Sequence, residues 1–482
     1  MRRMDHISLI KPYPRKFDFS KAVFYGIIIW KGAGNEKEIM KKKDDKYRRP
    51  VYSKFAEDEL WLIKETDWDK DIQHIREAQF ALGNGYIGSR SVLEEFPYNS
   101  KPGTYIAGIY DKLTAQVSEL VNFPDPVNFK FSVGGEKIGM GAMDVLNHRR
   151  VLNMKKGVLL RDTLYQNSKG HRFAYESLRF ISMQKKNIGA MQIVLTPLDR
   201  DYVVDVQTGI DTSVYNSGTV TEGRKKHFRI KELGQHRNAG YLVVETFEKR
   251  HALVYWSGFH YEQEGKKTYA RDNIFNIKVK KGKPITFTKI FYIEDFPGDK
   301  KGAKHKEETF SRFYRAFHSK FTGLLNEHIR EWERLWAISD VIIKGTANLQ
   351  VNMRFNIYHM LICGHFDDGF SSIGARTLSG EGYRGHIFWD TEIFLMPFYL
   401  LTNPDVARNM LLYRYKRLDE ARKCAQEAGY KGAMFPWESA ESGAEETPTW
   451  AKDINGEIVK IYTGSMEHHI TPDIAYTVKQ YH

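Results

Sequence analysis

Cysteine is almost missing from this chain: 482 residues carry two, Cys363 and Cys424. Two cysteines without metal or redox spacing exclude a disulfide framework and a zinc or thioredoxin-like motif. They read as buried free thiols in a reducing cytoplasm. Long apolar runs are missing too, and the mean hydropathy is −0.52. The best run, "AVFYGIIIW" (22–30), is about half the 18–20 residues needed to span a bilayer. It resembles a signal-peptide core behind a basic start, but "KGAGNEKE" makes a poor cleavage site. The expectation is a cytoplasmic protein with no membrane partner.

Nucleotide and metal signatures are also lacking. "GNGYIG" (83–88) has no strand–loop–helix context, so it is no dinucleotide or phosphate fingerprint. "MEHHITPD" (466–473) sets Glu467, His468 and His469 side by side, but adjacent histidines rarely ligate one ion. No cofactor and no metal are expected.

The net charge of +13 first suggests nucleic acid. Residues 1–50, however, hold 14 Lys and Arg against 6 Asp and Glu, so +8 of it sits in about a tenth of the chain. "KKKDDKYRR" (41–49) reads as a solvated run with no nucleic-acid motif after it. No nucleic-acid partner is expected. Residues 1–50 read as a basic N-terminal extension, with Met40 as an alternative start.

Residues 51–304 are strand-like. "VNFKFSV" (127–133) puts Val127, Phe129, Phe131 and Val133 on one face, and many such stretches follow at short spacing without intervening helices. This predicts an antiparallel β-sandwich. Near residue 305 the period changes: Phe310, Phe313, Phe317 and Phe321 recur three or four apart, which predicts a helical linker over 305–345. Helices are expected at 346–365 and 403–428, the second opened by Thr402–Asn403–Pro404. A last one should start at Thr471 as cap with Pro472 in its first turn, and nothing packs beneath it. A helical series that stops after so few members leaves apolar faces uncovered.

Two stretches carry chemistry. In "RTLSGEGYRGHIFWDTEIFLMPF" (376–398), Gly380, Gly382 and Gly385 predict a loop entering a helix near Thr391. Trp389 offers a flat apolar face to a sugar ring, and Asp390 accepts hydrogen bonds from neighbouring hydroxyls. The plainer reading is that Asp390 or Thr391 caps the helix while Phe388 and Trp389 are core. Asp390 and Glu392, two apart at a helix start, point different ways and do not make a glycosidase acid/base pair. In "GYKGAMFPWESAESGAEETP" (429–448), Trp437 stands among Glu438, Glu441, Glu445 and Glu446. Aromatic plus acid again suits a sugar; a solvated acidic loop with a packed Trp is the alternative.

These stretches, with "EHHITPDIAY" and "REAQFALGNGYIGSR" (76–90), resemble the disaccharide phosphorylases of glycoside hydrolase family 65. The likeness covers about residues 55–482; "GHIFWDTEIF" is nearer the kojibiose and trehalose branch than the maltose branch, and "TNPDVARNMLLYRY" and "GAMFPWESA" resemble the kojibiose branch first. The resemblance implies an N-terminal β-super-sandwich, a helical linker and an (α/α)6 catalytic barrel, of which residues 346–482 would form the first, truncated part. It implies inverting phosphorolysis of an α-glucosyl disaccharide, with inorganic phosphate as co-substrate, to β-glucose 1-phosphate plus glucose. Trp389 and Asp390 match the family's glucose-holding pair; Arg384, His386, Glu392, Trp437 and Glu438 are weaker carry-overs as neighbours of that pocket. The family's general acid is a Glu in a "PDEYH"-like motif, expected beyond His482, so this chain alone is expected to be inactive. A homodimer, or a second chain completing the barrel, is the expected partner. The rival readings are an acid trehalase-like hydrolase of the same family and a non-catalytic carbohydrate-binding fragment.

Overall fold

The computed structural model describes residues 50–482 except 97–98, 218–222, 271–272, 299–301, 366–368 and 454. The basic extension thus lies outside the described residues save for Pro50.

Ten antiparallel strands form the main sheet. Its order runs from Leu62–Glu65 through Asp144–Asn153, Val158–Gln166, Arg172–Ile181 and Ile188–Pro197 to Ile285–Pro297. It then passes through His251–Gln263 and Ala239–Thr246 to Phe228–His236, with Lys266–Tyr269 paired on the His251–Gln263 strand. A second antiparallel sheet of four strands, in the order Ile274–Val279, Tyr202–Thr208, Phe129–Val133 and Glu136–Ile138, covers one face.

Side-chain alternation decides what each face holds. Ile193, Leu195, Tyr255 and Phe287 join Phe129, Phe131, Val204 and Val206 in one core between the sheets. Their neighbours Val194, Trp256 and Ile290 point the other way, into a second core. That second core is closed by the predicted phenylalanine stripe. Helix α2 (Gly302–Phe317) supplies Phe310, Phe313 and Phe317, and helix α3 (Phe321–Ser339) supplies Phe321, Leu324 and Leu325. Further along the same face of α3, Trp332 stacks on Tyr358 and Trp336 meets Trp61 edge-on at 4.7 Å. This ties the sandwich to helix α4 (Ala347–Leu361).

The helical half then runs through α5 (Met396–Thr402), α6 (Pro404–Tyr415), α7 (Leu418–Glu427), the single turn α8 (Thr463–Met466) and α9 (Ile470–Tyr481). Several expectations need correcting. A short helix, Gln73–Gln79, interrupts the strand-rich half. The helix expected over 403–428 is two, because Arg417 leaves helical geometry (φ −110°) and spends its guanidinium on the carbonyls of Tyr413, Glu441 and Phe370. Thr471 is not the cap of the last helix: its hydroxyl accepts the Phe435 N–H, and the helix opens one residue earlier, behind His469. Pro472 then sits among the first residues, whose N–H groups lack intrahelical partners anyway. Nor is α9 without support, since Ile470, Ile474 and Thr477 are buried and it packs on α6 and on the turn Thr391–Leu395. Its other face, with Tyr476 and Val478, is exposed, as are Phe394 and Leu401 at 65% and 88%. Cys363 is a buried free thiol, but Cys424 is only half-buried.

Candidate functional site

The two chemistry-bearing stretches meet through a backbone bridge. Ile387 N–H donates to Ser439 O at 2.8 Å and Ser439 N–H returns the bond to Ile387 O at 3.0 Å. That pairing places Trp389 and Trp437 on either side of one histidine. The His469 ring stands edge-on to Trp389 at 4.8 Å and to Trp437 at 5.9 Å. Phe388 meets Trp437 edge-on at 5.9 Å and Tyr383 at 5.6 Å, so the aromatic groups form a continuous run.

Beneath that run the loop is fastened at many points. The chain turns through two consecutive left-handed residues, Tyr383 (φ 55°) and Arg384 (φ 56°), followed by Gly385 at φ 72°. Two non-glycine residues in that region cost of order 1–3 kcal/mol each and persist only where neighbours enforce them. A Cβ at Gly385 would come within 2.4 Å of Leu120 Cβ, so only glycine lets the loop lie against that strand. Tyr110 Oη donates to Gly385 O at 2.7 Å. The fully buried His386 donates from Nε2 to Ser118 O at 2.6 Å, while Nδ1 faces Glu438 Oε2 at 2.7 Å.

The acidic residues of the second loop are bonded to protein, although Glu445 itself is exposed. Glu445 accepts the N–H groups of Trp437 and Thr447 at 2.8 and 2.9 Å. Glu446 accepts both the N–H and the hydroxyl of Ser118, and Glu441 pairs with Arg250 and His251. Ser118 and Tyr110 belong to the strand-rich half, so residues 110–120 act as a platform for both loops. The platform has its own charged core. His227 is buried between Asp111 and Glu119, 3.1 Å from each. Burial opposes its charge, but bonds to the two carboxylates win and lift its pKa to about 9. Arg384 Nε lies 4.0 Å from Glu119 on the same group.

Asp390 and Glu392 sit in different environments. Glu392, at the start of a π-helical turn Thr391–Leu395, is fully buried and bidentate to Arg414, at 2.7 and 2.9 Å. Thr391 Oγ1 donates to Ile373 O at 2.7 Å. Asp390 is half-buried, and its Oδ1 has no hydrogen-bond partner among the described residues. Burial chiefly, and the Glu392 charge beside it, raise its pKa from the ordinary carboxylate value. Arg414 Nη1 likewise lacks a partner. An acceptor and a donor left over on one frame, close to a largely half-buried aromatic run, suit a polyhydroxylated ligand.

Of the residues singled out in the sequence, Trp389, Asp390 and Trp437 gather at this surface. His386, Glu392 and Glu438 lie behind it, bonded to protein, and Arg384 lies at the platform. Arg414, Ser118, His227 and His469 were not singled out as site residues. Their partners are far away in sequence, and no local pattern announces them; only His469 had been noticed, as a metal candidate. A cavity of about 290 Å³ lined by Asn84, Tyr86, Lys186, Glu331, Arg334 and His365 shares no residue with the site.

Comparison with known proteins gives the family. Residues 63–335 match the glycosyl hydrolase family 65 N-terminal domain, and residues 354–482 match the family's central catalytic domain. The chain belongs to glycosyl hydrolase family 65. It is 35% identical over 448 residues to the kojibiose phosphorylase of Caldanaerobacter subterraneus subsp. tengcongensis, covering 88% of this chain and 57% of that protein. To the kojibiose phosphorylase of Thermoanaerobacter brockii it is 36% identical, covering 88% and 56%. The α,α-trehalose phosphorylase of the same organism is 30% identical, covering 91% and 58%. A solved structure assigned as a kojibiose phosphorylase from the human microbiome superposes with a TM-score of 0.75 at 22% identity, covering 88% of this chain and 56% of that one. The chain thus spans little more than half the length of these relatives. Among the described residues, no helix is long and apolar enough to cross a membrane.

Proposed function

We propose that this chain holds the glucosyl ring of a kojibiose-like α-glucosyl disaccharide for the inverting phosphorolysis carried out by the complete family enzyme. The observation that carries the reading is the Asp390 carboxylate: partly buried beside Trp389, with one oxygen lacking a hydrogen-bond partner among the described residues. Trp389 presents the apolar face, Asp390 accepts from ring hydroxyls, and Trp437 widens the aromatic surface. His386, Glu392 and Glu438 hold the two loops in place, and Arg384 fastens the turn to the platform. The two antiparallel sheets correspond to the family's super-sandwich, and α4–α9 to the first part of its (α/α)6 barrel.

In the reaction, phosphate attacks the anomeric carbon from the face opposite the departing sugar, while a carboxylic acid protonates the leaving oxygen. Phosphate is already an anionic nucleophile, so no second carboxylate is needed as base. The products are β-glucose 1-phosphate and glucose. Fixing the ring lets hydroxyl contacts strengthen as the transition state forms. The residues assigned here hold the sugar and include no proton donor, and the 482 residues contain no "PDEYH"-like motif. On this reading the chain binds glucose without turnover, and turnover needs a polypeptide that carries the acid. The free thiols of Cys363 and Cys424 fit a cytoplasmic setting.

Titration of the purified chain with glucose, followed by tryptophan fluorescence, tests the reading. Saturable quenching is expected in the native chain and none in Asp390→Ala. Equal titration of both would refute the assignment of Asp390, and phosphate-dependent release of glucose 1-phosphate by this chain would refute the missing-donor reading.

A further inference from the structure

We infer that His469 is a third sugar-binding residue, one that accepts a hydroxyl of the ligand through Nε2. The inference rests on the reading of Trp389 and Asp390 as the glucose-holding pair. His469 stands just before helix α9, and its ring is wedged between the two tryptophans of the site, nearly perpendicular to both, at 86° and 78°. Its orientation is fixed from its own helix: Nδ1 lies 2.5 Å from Asp473 Oδ2, one turn further on. A carboxylate on Nδ1 keeps the proton there and leaves the Nε2 lone pair as an acceptor in the neutral ring.

Nε2 makes no hydrogen bond among the described residues. The nearest ionic group is the Glu467 carboxylate at 3.6 Å, outside hydrogen-bond range, and the side chain is 41% exposed. An imidazole held by an Asp, edge-on to two tryptophans and presenting a half-exposed nitrogen that makes no hydrogen bond among the described residues, is an oriented polar group beside a sugar platform. The ligand class is therefore a pyranose with a free hydroxyl at that edge. Among the described residues, no group of three His, Cys, Asp or Glu side chains is arranged to hold a metal ion.

Two substitutions separate contact from scaffolding. In His469→Asn the amide N–H takes the place of Nδ1 and keeps the bond to Asp473, while the Nε2 position is lost. In His469→Gln the amide reaches the Nε2 position. By glucose titration, His469→Asn should bind roughly three- to tenfold more weakly, the range expected for one hydrogen bond, with an unchanged melt of the ligand-free chain. His469→Gln should recover most of that loss. Native affinity in His469→Asn, with binding abolished in Asp390→Ala, would overturn this inference alone. A native chain that does not titrate glucose would overturn the inference together with the reading it rests on.

Discussion

The arginine-bound carboxylates of the strand-rich half are paired, whereas Asp390 at the aromatic surface keeps one oxygen without a hydrogen-bond partner among the described residues. Glu94 and Glu95 converge on Arg161 at 3.0 and 2.7 Å, and Glu94 also accepts from Ser177, Tyr175 and Arg179. Glu65 is bound by Arg150 at 2.8 Å and His148 at 3.1 Å. Burial disfavours the charge on Glu65 and Glu95, yet Arg150 and Arg161 hold each at a pKa of about 2. For Asp390, burial and the Glu392 charge outweigh the backbone N–H bonds and the Arg414 charge that favour ionisation, so its pKa moves up. Asp125, fully buried in the strand-rich half, likewise keeps an Oδ2 without a hydrogen-bond partner among the described residues, and its pKa rises to about 6. What sets Asp390 apart is its place beside Trp389 in a half-buried stretch rather than in a closed core.

Breaking the paired group should have the largest effect. Arg161→Met leaves Glu94 and Glu95 buried without their shared cation, and about 3–5 kcal/mol of stability should go, read by chemical denaturation. Glu392→Gln tests a paired carboxylate inside the site itself. It weakens the bidentate bond to Arg414, so both stability, by about 2–3 kcal/mol, and glucose binding should fall together.

The platform histidine gives a pH-dependent effect. The folded pKa of His227, about 9, lies above its ordinary 6.5. Its stabilisation is therefore fully present below pH 6.5 and is lost as pH rises through 9. The loss should be on the order of 3 kcal/mol, and a His227→Gln chain should show a flatter stability profile over that window. Glu65 and Glu95 work in the opposite direction: their contribution is present above the ordinary 4.5 and is lost as pH falls toward 2.

How much of this was legible beforehand depends on range. The alternation of Val127, Phe129 and Phe131, and the stripe from Phe310 to Phe321, are local periods, and they found the sandwich and the helices that close its second face. The four motif stretches led to the family and to Trp389 and Asp390. Long-range satisfaction of polar groups was not legible. No local pattern says that Ser118 would bind both His386 and Glu446, or that Arg414 would claim Glu392. The break at Arg417 escaped for the same reason, since the carbonyls that draw its side chain out of line include Glu441 and Phe370. His469 was visible only as a metal candidate, because its meaning depends on two tryptophans that folding brings to it.

Asp390→Asn gives the most direct test of the contrast between Asp390 and the arginine-bound carboxylates. It replaces a carboxylate whose charge is disfavoured chiefly by burial and by the neighbouring Glu392. The account predicts a melting midpoint equal to or slightly above that of the native chain, together with loss of saturable glucose binding. A clear drop in stability with glucose binding retained would contradict it, by placing Asp390 among the structural carboxylates.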